Sequence, residues 1–79
     1  MKRDKLEIAR NILLLCKDGA KKTEIVYKVN LNFKNAEGYL KWLIDREMIV
    51  KEGKFFKLTS RGSELLSNLQ STSLLMDLK

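Results

Sequence analysis

The sequence predicts a mainly α-helical fold with one small β-hairpin, and three observations carry that reading. Apolar residues recur at spacings of three and four through three separate stretches before residue 47. The period then changes to alternation across residues 48–58, around a glycine. A leucine-rich helical pattern returns after residue 59 and runs to the end of the chain.

Taken in order, residues 3–17 place Leu6, Ile8, Ala9, Ile12, Leu13, Leu15 and Cys16 on one broad apolar face, which predicts a first helix. Asp18-Gly19 closes it, because glycine accepts the left-handed conformation of a helix end. Residues 20–22 allow no more than a strand stub. A short second helix opens at Thr23 (or Lys22), with Thr23 suited to the N-cap and Ile25, Val26 and Val29 inward. Asn30-Leu31-Asn32 interrupts the pattern as a tight turn, pinned to the core by Leu31.

With Asn32 as its N-cap, a third helix is expected over residues 33–46. Its buried face comprises Phe33, Ala36, Leu40, Leu43, Ile44 and the methylenes of Glu47. Lys34, Asn35, Gly38, Lys41, Trp42 and Asp45 face outward. Strands over residues 48–51 and 54–58 then form a hairpin joined by Glu52-Gly53, with Phe56 and Leu58 inward and Phe55 and Lys57 outward. Thr59 or Ser60 caps a last helix, whose first turn Glu64 supports. Leu65, Leu66, Leu69, Leu74, Leu75, Met76 and Leu78 give that helix a wide apolar surface.

A chain of 79 residues has room for one domain. At this size only ~60% of the unfolded surface is buried, and small domains often add a staple or a partner subunit. Cys16 is the only cysteine, so no disulfide is available, and its apolar surroundings make it a small buried hydrophobe. Histidine is absent, which removes His-dependent triads and His-ligated zinc. The four glycines, at 19, 38, 53 and 62, are isolated and form no phosphate loop. No secretory leader is expected from the opening Met-Lys-Arg-Asp-Lys, and no apolar run approaches the ~20 residues of a membrane span. The expectation is a cytoplasmic protein that is not an enzyme, with no metal, cofactor, small-molecule substrate or membrane partner.

Charge points to a class of partner. Lys and Arg number 16 against 10 Asp and Glu, and the pI is near 9.6. Residues 1–62 hold 15 basic and 8 acidic residues, a net charge of +7, whereas residues 63–79 carry −1. A basic body with a neutral tail is the electrostatic footprint of a polyanion binder.

The order helix, stub, short helix, tight turn, helix, hairpin, helix is the winged helix-turn-helix plan. The stretch from Gly19 through Lys21-Lys22-Thr23 to Asn32-Phe33, followed by Ala36, Tyr39-Leu40 and Leu43, resembles archaeal winged-helix proteins. It is most similar to the ten-kilodalton archaeal nucleoid proteins with an antiparallel coiled-coil tail. Phe56-Lys57-Leu58-Thr59-Ser60-Arg61-Gly62 is similar to the leucine-threonine-x-x-glycine closing of such wings. The likeness covers residues 4–66. It implies dimers that bind double-stranded DNA, a recognition helix in the major groove, and a wing on the backbone or minor groove.

Residues 1–62 are then a winged helix-turn-helix DNA-binding domain, and residues 63–79 a C-terminal dimerisation helix in the same folding unit. The tail departs from the family in being too short for a long coiled coil. A heptad from Leu66 selects Leu66, Leu69, Ser73 and Met76, leaving Leu74, Leu75 and Leu78 partly off the seam. A short, broad helix–helix contact is expected, through Leu65, Leu66, Leu69, Ser73, Leu75 and Met76.

Residue roles follow from placement. Lys34 and Lys41, two helical turns apart, suit phosphates, and Asn35 can read adenine. Gly38 permits close approach of backbone to DNA or to the second helix. Trp42 touches sugar-phosphate or a thymine methyl, or packs on the hairpin, and Tyr39 lies at the core margin with its hydroxyl near DNA. Lys51, Lys54 and Lys57 supply a basic wing. Lys21, Lys22 and Thr23 stand at an anion-favouring helix start, and Arg61 at another, unless it pairs with Glu64 or Glu52. A nucleoid-associated transcriptional regulator is expected; general coating of DNA and a winged helix used for protein–protein interaction are the alternatives.

Overall fold

The computed structural model describes residues 4–77, with side chains as far as Asn68. Its elements are α1 (Lys5–Cys16), α2 (Lys22–Val29), α3 (Phe33–Asp45), β1 (Ile49–Glu52), β2 (Phe55–Leu58) and α4 (Ser60–Asp77).

The start of α1 is fixed by Asp4, whose carboxylate accepts the Glu7 backbone N–H at 2.8 Å. The helix buries Ile8, Ala9, Ile12, Leu13 and Cys16. Leu6, expected on this face, is 59% exposed. It lies only about 20° round the helix from buried Leu13, so its exposure comes from its place in the first turn, at the end of α1, and not from its face. Gly19, at φ +87°, ends the element as expected. Ala20 then exchanges both backbone hydrogen bonds with Phe56, at 3.0 and 2.7 Å, so the stub is one rung of sheet.

Lys21, not Thr23, is the N-cap of α2, and its side chain makes no capping bond. Thr23 sits inside the first turn, because the chain turns helical straight after the Ala20 rung. Val26 is only half-buried, while Ile25 and Val29 reach the core. Asn30 closes α2 in the left-handed region at φ +60°. The Leu31 N–H donates to the Val26 carbonyl at 3.1 Å, the six-to-one bond of a Schellman ending. Leu31 packs against the core, as the turn requires.

Asn32 caps α3, its side-chain oxygen accepting the Asn35 N–H at 2.7 Å. Ala36, Leu40 and Leu43 form the buried face. Phe33 is 52% and Ile44 37% exposed, against expectation. Both stand roughly 60–80° round the helix from Ala36, on the flank rather than the centre of the face. Glu47 follows at φ +61° and points its side chain to solvent, so its methylenes are not in the core. The Met48 N–H returns to the Leu43 carbonyl at 2.9 Å.

Pairing of Ile49 with Leu58 and of Glu52 with Phe55 makes Gly53-Lys54 the hairpin turn, one residue later than expected. Only Gly53 has positive φ (+62°), which fits a type II′ turn with glycine first. Phe56 and Ile49 are buried and Leu58 is half-buried, whereas Phe55 and Lys57 face outward. Buried Leu66 brings the first half of α4 onto α1 and β2.

One corner joins these parts. The Thr59 N–H donates to the Met48 carbonyl at 3.0 Å and the Thr59 hydroxyl to the Glu47 carbonyl at 2.6 Å. The same hydroxyl accepts the Gly62 N–H at 3.0 Å, capping α4. Gly62 is pressed onto the Met48 carbonyl so closely that a Cβ would overlap its oxygen and lie 2.8 Å from Leu58 Cδ1. The leucine-threonine-x-x-glycine ending thus has a steric cause. Gly62→Ala is expected to lower unfolding free energy by about 2–3 kcal/mol in urea titrations; wild-type stability would show that the corner opens at no cost.

Candidate nucleic-acid interface

With Ala36, Leu40 and Leu43 facing the core, α3 presents Lys34, Gly38, Lys41 and Asp45 on its opposite side. Lys34 and Gly38 stand on a crest between two grooves. On the hairpin side, Lys22, Lys34, Lys41 and Lys51 converge over Leu40, Ile44 and Phe56. On the α1 side, Asn35, Tyr39 and Trp42 face Lys5, Ile8 and Leu31. Trp42 therefore packs toward α1 rather than the hairpin, and the Arg46 guanidinium covers its ring at 5.3 Å.

Lysines of this surface divide by what holds them. The Lys22 ammonium lies 2.6 Å from Glu37 and 5.5 Å from the Phe33 ring, tying the start of α2 to α3. Hydrogen bonding and charge from Lys22 together hold the Glu37 carboxyl below the usual carboxylate range. Lys51 lies over Phe56, on the groove side of the hairpin. Lys34, Lys41 and Lys54 have no carboxylate partner among the described residues.

Several expected members fall elsewhere. Lys57 pairs with Glu52 at 3.1 Å on the outer hairpin face, where Lys21 lies over Phe55. Strand alternation separates both from Lys51, which shares a face with its partner Phe56. Arg61 pairs with Glu47 at 3.4 Å, not with Glu64 or Glu52, in a different groove shared with Asp45 and Met48. Thr23 is exposed at the start of α2. Of the expected interface residues on α4, Leu66 is 4% exposed and belongs to the monomer core, so it cannot also meet a partner. Leu65 packs partly against that core. The side chains of Leu69, Ser73, Leu75 and Met76 lie outside the described residues.

Sequence reasoning missed Glu37, an acid on the flank of a basic groove, because its partner is 15 residues away. It also missed Lys5 and Arg46 beside the aromatic pair. Gly38 has no neighbour within 4 Å of an added Cβ, so closeness to α2 does not explain it. Interior glycine costs a helix about 1 kcal/mol relative to alanine. Cys16 stays a protonated thiol, pushed up to about 11 by burial and, secondarily, by the Glu24 charge. No group of three or more His, Cys, Asp or Glu able to hold a metal exists among the described residues. No described helix is long and apolar enough to cross a membrane.

A short helix and a second helix across a tight turn, followed by a hairpin beside the second helix's outer face, define a winged helix-turn-helix protein. The chain belongs to the winged helix-turn-helix family, whose pattern it matches over residues 2–77. It is 35% identical over 79 residues to the uncharacterized protein MJ0287 of the archaeon Methanocaldococcus jannaschii, covering 99% of this chain and 81% of that one. It is also 38% identical over 71 residues to the uncharacterized protein MJ0290 of the same organism. That match takes in 89% of this chain but 34% of its relative, so the chain spans about a third of MJ0290. Membership of this family suggests DNA binding.

The Lys22–Glu37 pair has a direct readout. In an NMR titration the Glu37 carboxyl should ionise below the ordinary value of 4.5, and Lys22→Ala should return it there. A depressed acid pKa stabilises the fold above the unfolded value and loses that contribution as pH falls through the folded one. An ordinary midpoint in the wild type would show that the pair does not form in solution.

Proposed function

We propose that this protein binds double-stranded DNA as a homodimer and acts as a transcriptional regulator, with α3 in the major groove and the wing on the backbone or minor groove. The observation that carries the reading is the hairpin-side groove, where lysines from α2, α3 and β1 converge against the single acid Glu37. Such an arrangement matches a phosphate backbone passing between recognition helix and wing. Lys34, Lys41, Lys51 and Lys54 are the phosphate contacts, and Asn35, Gly38, Tyr39 and Trp42 face the bases or sugars. Lys22 holds the helix-turn-helix angle through Glu37, and Lys21, Thr23, Lys57 and Arg61 form a weaker periphery.

The same reading puts dimerisation in residues 63–79, since two recognition helices on half-sites about 34 Å apart multiply a modest single contact. Leu65, Leu69, Ser73, Leu75 and Met76 supply that interface, with Leu66 reserved for the core. A second reading has its own observation. Phe33, Ile44 and Val50 are exposed on α3 and β1, as a protein-binding winged helix requires. General coating of DNA, as by nucleoid proteins, differs from regulation only in its lack of sequence preference.

Duplex binding followed against salt separates DNA from protein partners. Four phosphate contacts per subunit, eight per dimer, imply a loss of affinity of about 10⁴-fold between 50 and 200 mM salt. Lys34→Ala, which removes one contact from each subunit, should reduce the logarithmic salt slope by about 2, and Lys54→Glu should weaken binding at an unchanged thermal midpoint. Binding that is undetectable at 50 mM salt, or indifferent to salt, would sink the DNA reading.

Sedimentation tests the tail. Leu69→Asp should convert a dimer to a monomer that remains folded, and a dimer that persists would move the interface elsewhere.

A further inference from the structure

Three of the four glycines explain themselves within the protein: Gly19 and Gly53 by positive φ, and Gly62 by its seat on Met48. Gly38 does not. It lies inside α3 in ordinary helical geometry, on the exposed crest, and an alanine methyl there would meet nothing within 4 Å. Glycine is among the poorest helix formers, so its place in mid-helix weakens α3 without an intramolecular return. The missing side chain leaves bare backbone on the crest, open to close approach.

What flanks that bare backbone is specific. Asn35, one turn before, and Trp42, one turn after, line the same groove as Gly38. The Asn35 backbone N–H is taken by the Asn32 cap. Its side-chain amide has no partner among the described residues, leaving a donor and an acceptor side by side. Trp42 contributes an apolar wall, with its ring steadied by Arg46. Lys34 and Lys41 stand four residues before and three after the glycine, both without a carboxylate partner among the described residues. Anchored on phosphates, they would bring the stretch between them closest to the base edges.

On the proposed DNA-binding reading, we infer that α3 is sequence-selective: the bare backbone at Gly38, in the groove it shares with Trp42, receives the C5-methyl group of a thymine while Asn35 reads a neighbouring adenine. The chemistry is complementary, since thymine alone among the four bases presents a methyl group in the major groove. Adenine offers there the N6–H donor and N7 acceptor that a carboxamide can meet bidentately. A side chain at position 38 would stand out from the crest and hold the backbone off the base edge.

The test selects preferred duplexes from a random pool with the full chain, then compares each winner with a copy carrying deoxyuridine for thymine. Enriched sites should share a thymine close to an adenine. Deoxyuridine should weaken wild-type binding about fourfold, the worth of one buried methyl group. Gly38→Ala should abolish the thymine–deoxyuridine difference and melt no lower than wild type. Asn35→Ala should lose the adenine preference by about tenfold. Salt-dependent binding with no enriched site, equal affinity for thymine and deoxyuridine, or a Gly38→Ala protein that keeps the preference or melts lower would each overturn the inference while leaving DNA binding intact. Failure to bind any duplex would instead remove the underlying function, and this inference with it.

Discussion

Thr59 is the residue on which the arrangement of helix and wing depends. A two-stranded hairpin is at best marginally stable alone in water, so the wing must be held by what surrounds it. On one edge, Ala20 exchanges two backbone hydrogen bonds with Phe56. At its base, Thr59 grips two consecutive carbonyls of the α3–β1 corner and caps α4, and Gly62 lets α4 sit directly on Met48. The spacing between α3 and the hairpin, and hence the width of the lysine-lined groove, is set by this corner. Ile49 and Phe56 then anchor the sheet in the core from within.

Electrostatics on this frame divides the cations into two kinds. Lys22, Lys57 and Arg61 have carboxylate partners and belong to the architecture. These pairs are exposed, and such pairs add little stability; their effect is to orient helices and to keep acids such as Glu37 neutralised near a basic surface. Lys34, Lys41 and Lys54 have no such partner among the described residues and leave their charge available to a polyanion. The net charge of the chain therefore says less about binding than the question of which lysines are already occupied.

Much of the frame was legible in the sequence. Helical periodicity located α1, α3 and α4, and Asn32, Gly19 and Gly53 marked local backbone requirements that a single residue type meets. The misplaced Phe33 and Ile44 share one cause: a face read from three-and-four spacing is wider than the stripe that tertiary packing covers; Leu6 is exposed instead by its place at the end of α1. Thr23 looked like a cap because of its chemistry, but the Ala20 rung on β2 starts the helix earlier. The wing lysines were grouped by nearness in sequence, although the alternation that sends Phe56 inward also sends Lys57 away from Lys51. Nothing local could reveal Lys22–Glu37 or the partners of Arg61, since those pairs exist only after the chain has folded back. The wing-closing glycine was visible as a pattern, and its steric reason only in three dimensions.

The central claim is that one face, made of the outer side of α3 and the groove side of the wing, meets DNA. Backbone amide shifts of isotope-labelled protein, followed as duplex is added, test it most directly. The account expects the largest changes at residues 34–42 and 51–54, with the exposed side of α1 around Leu6 and Leu14 unmoved. Changes centred on α1 or α4, or none at saturating duplex, would contradict it.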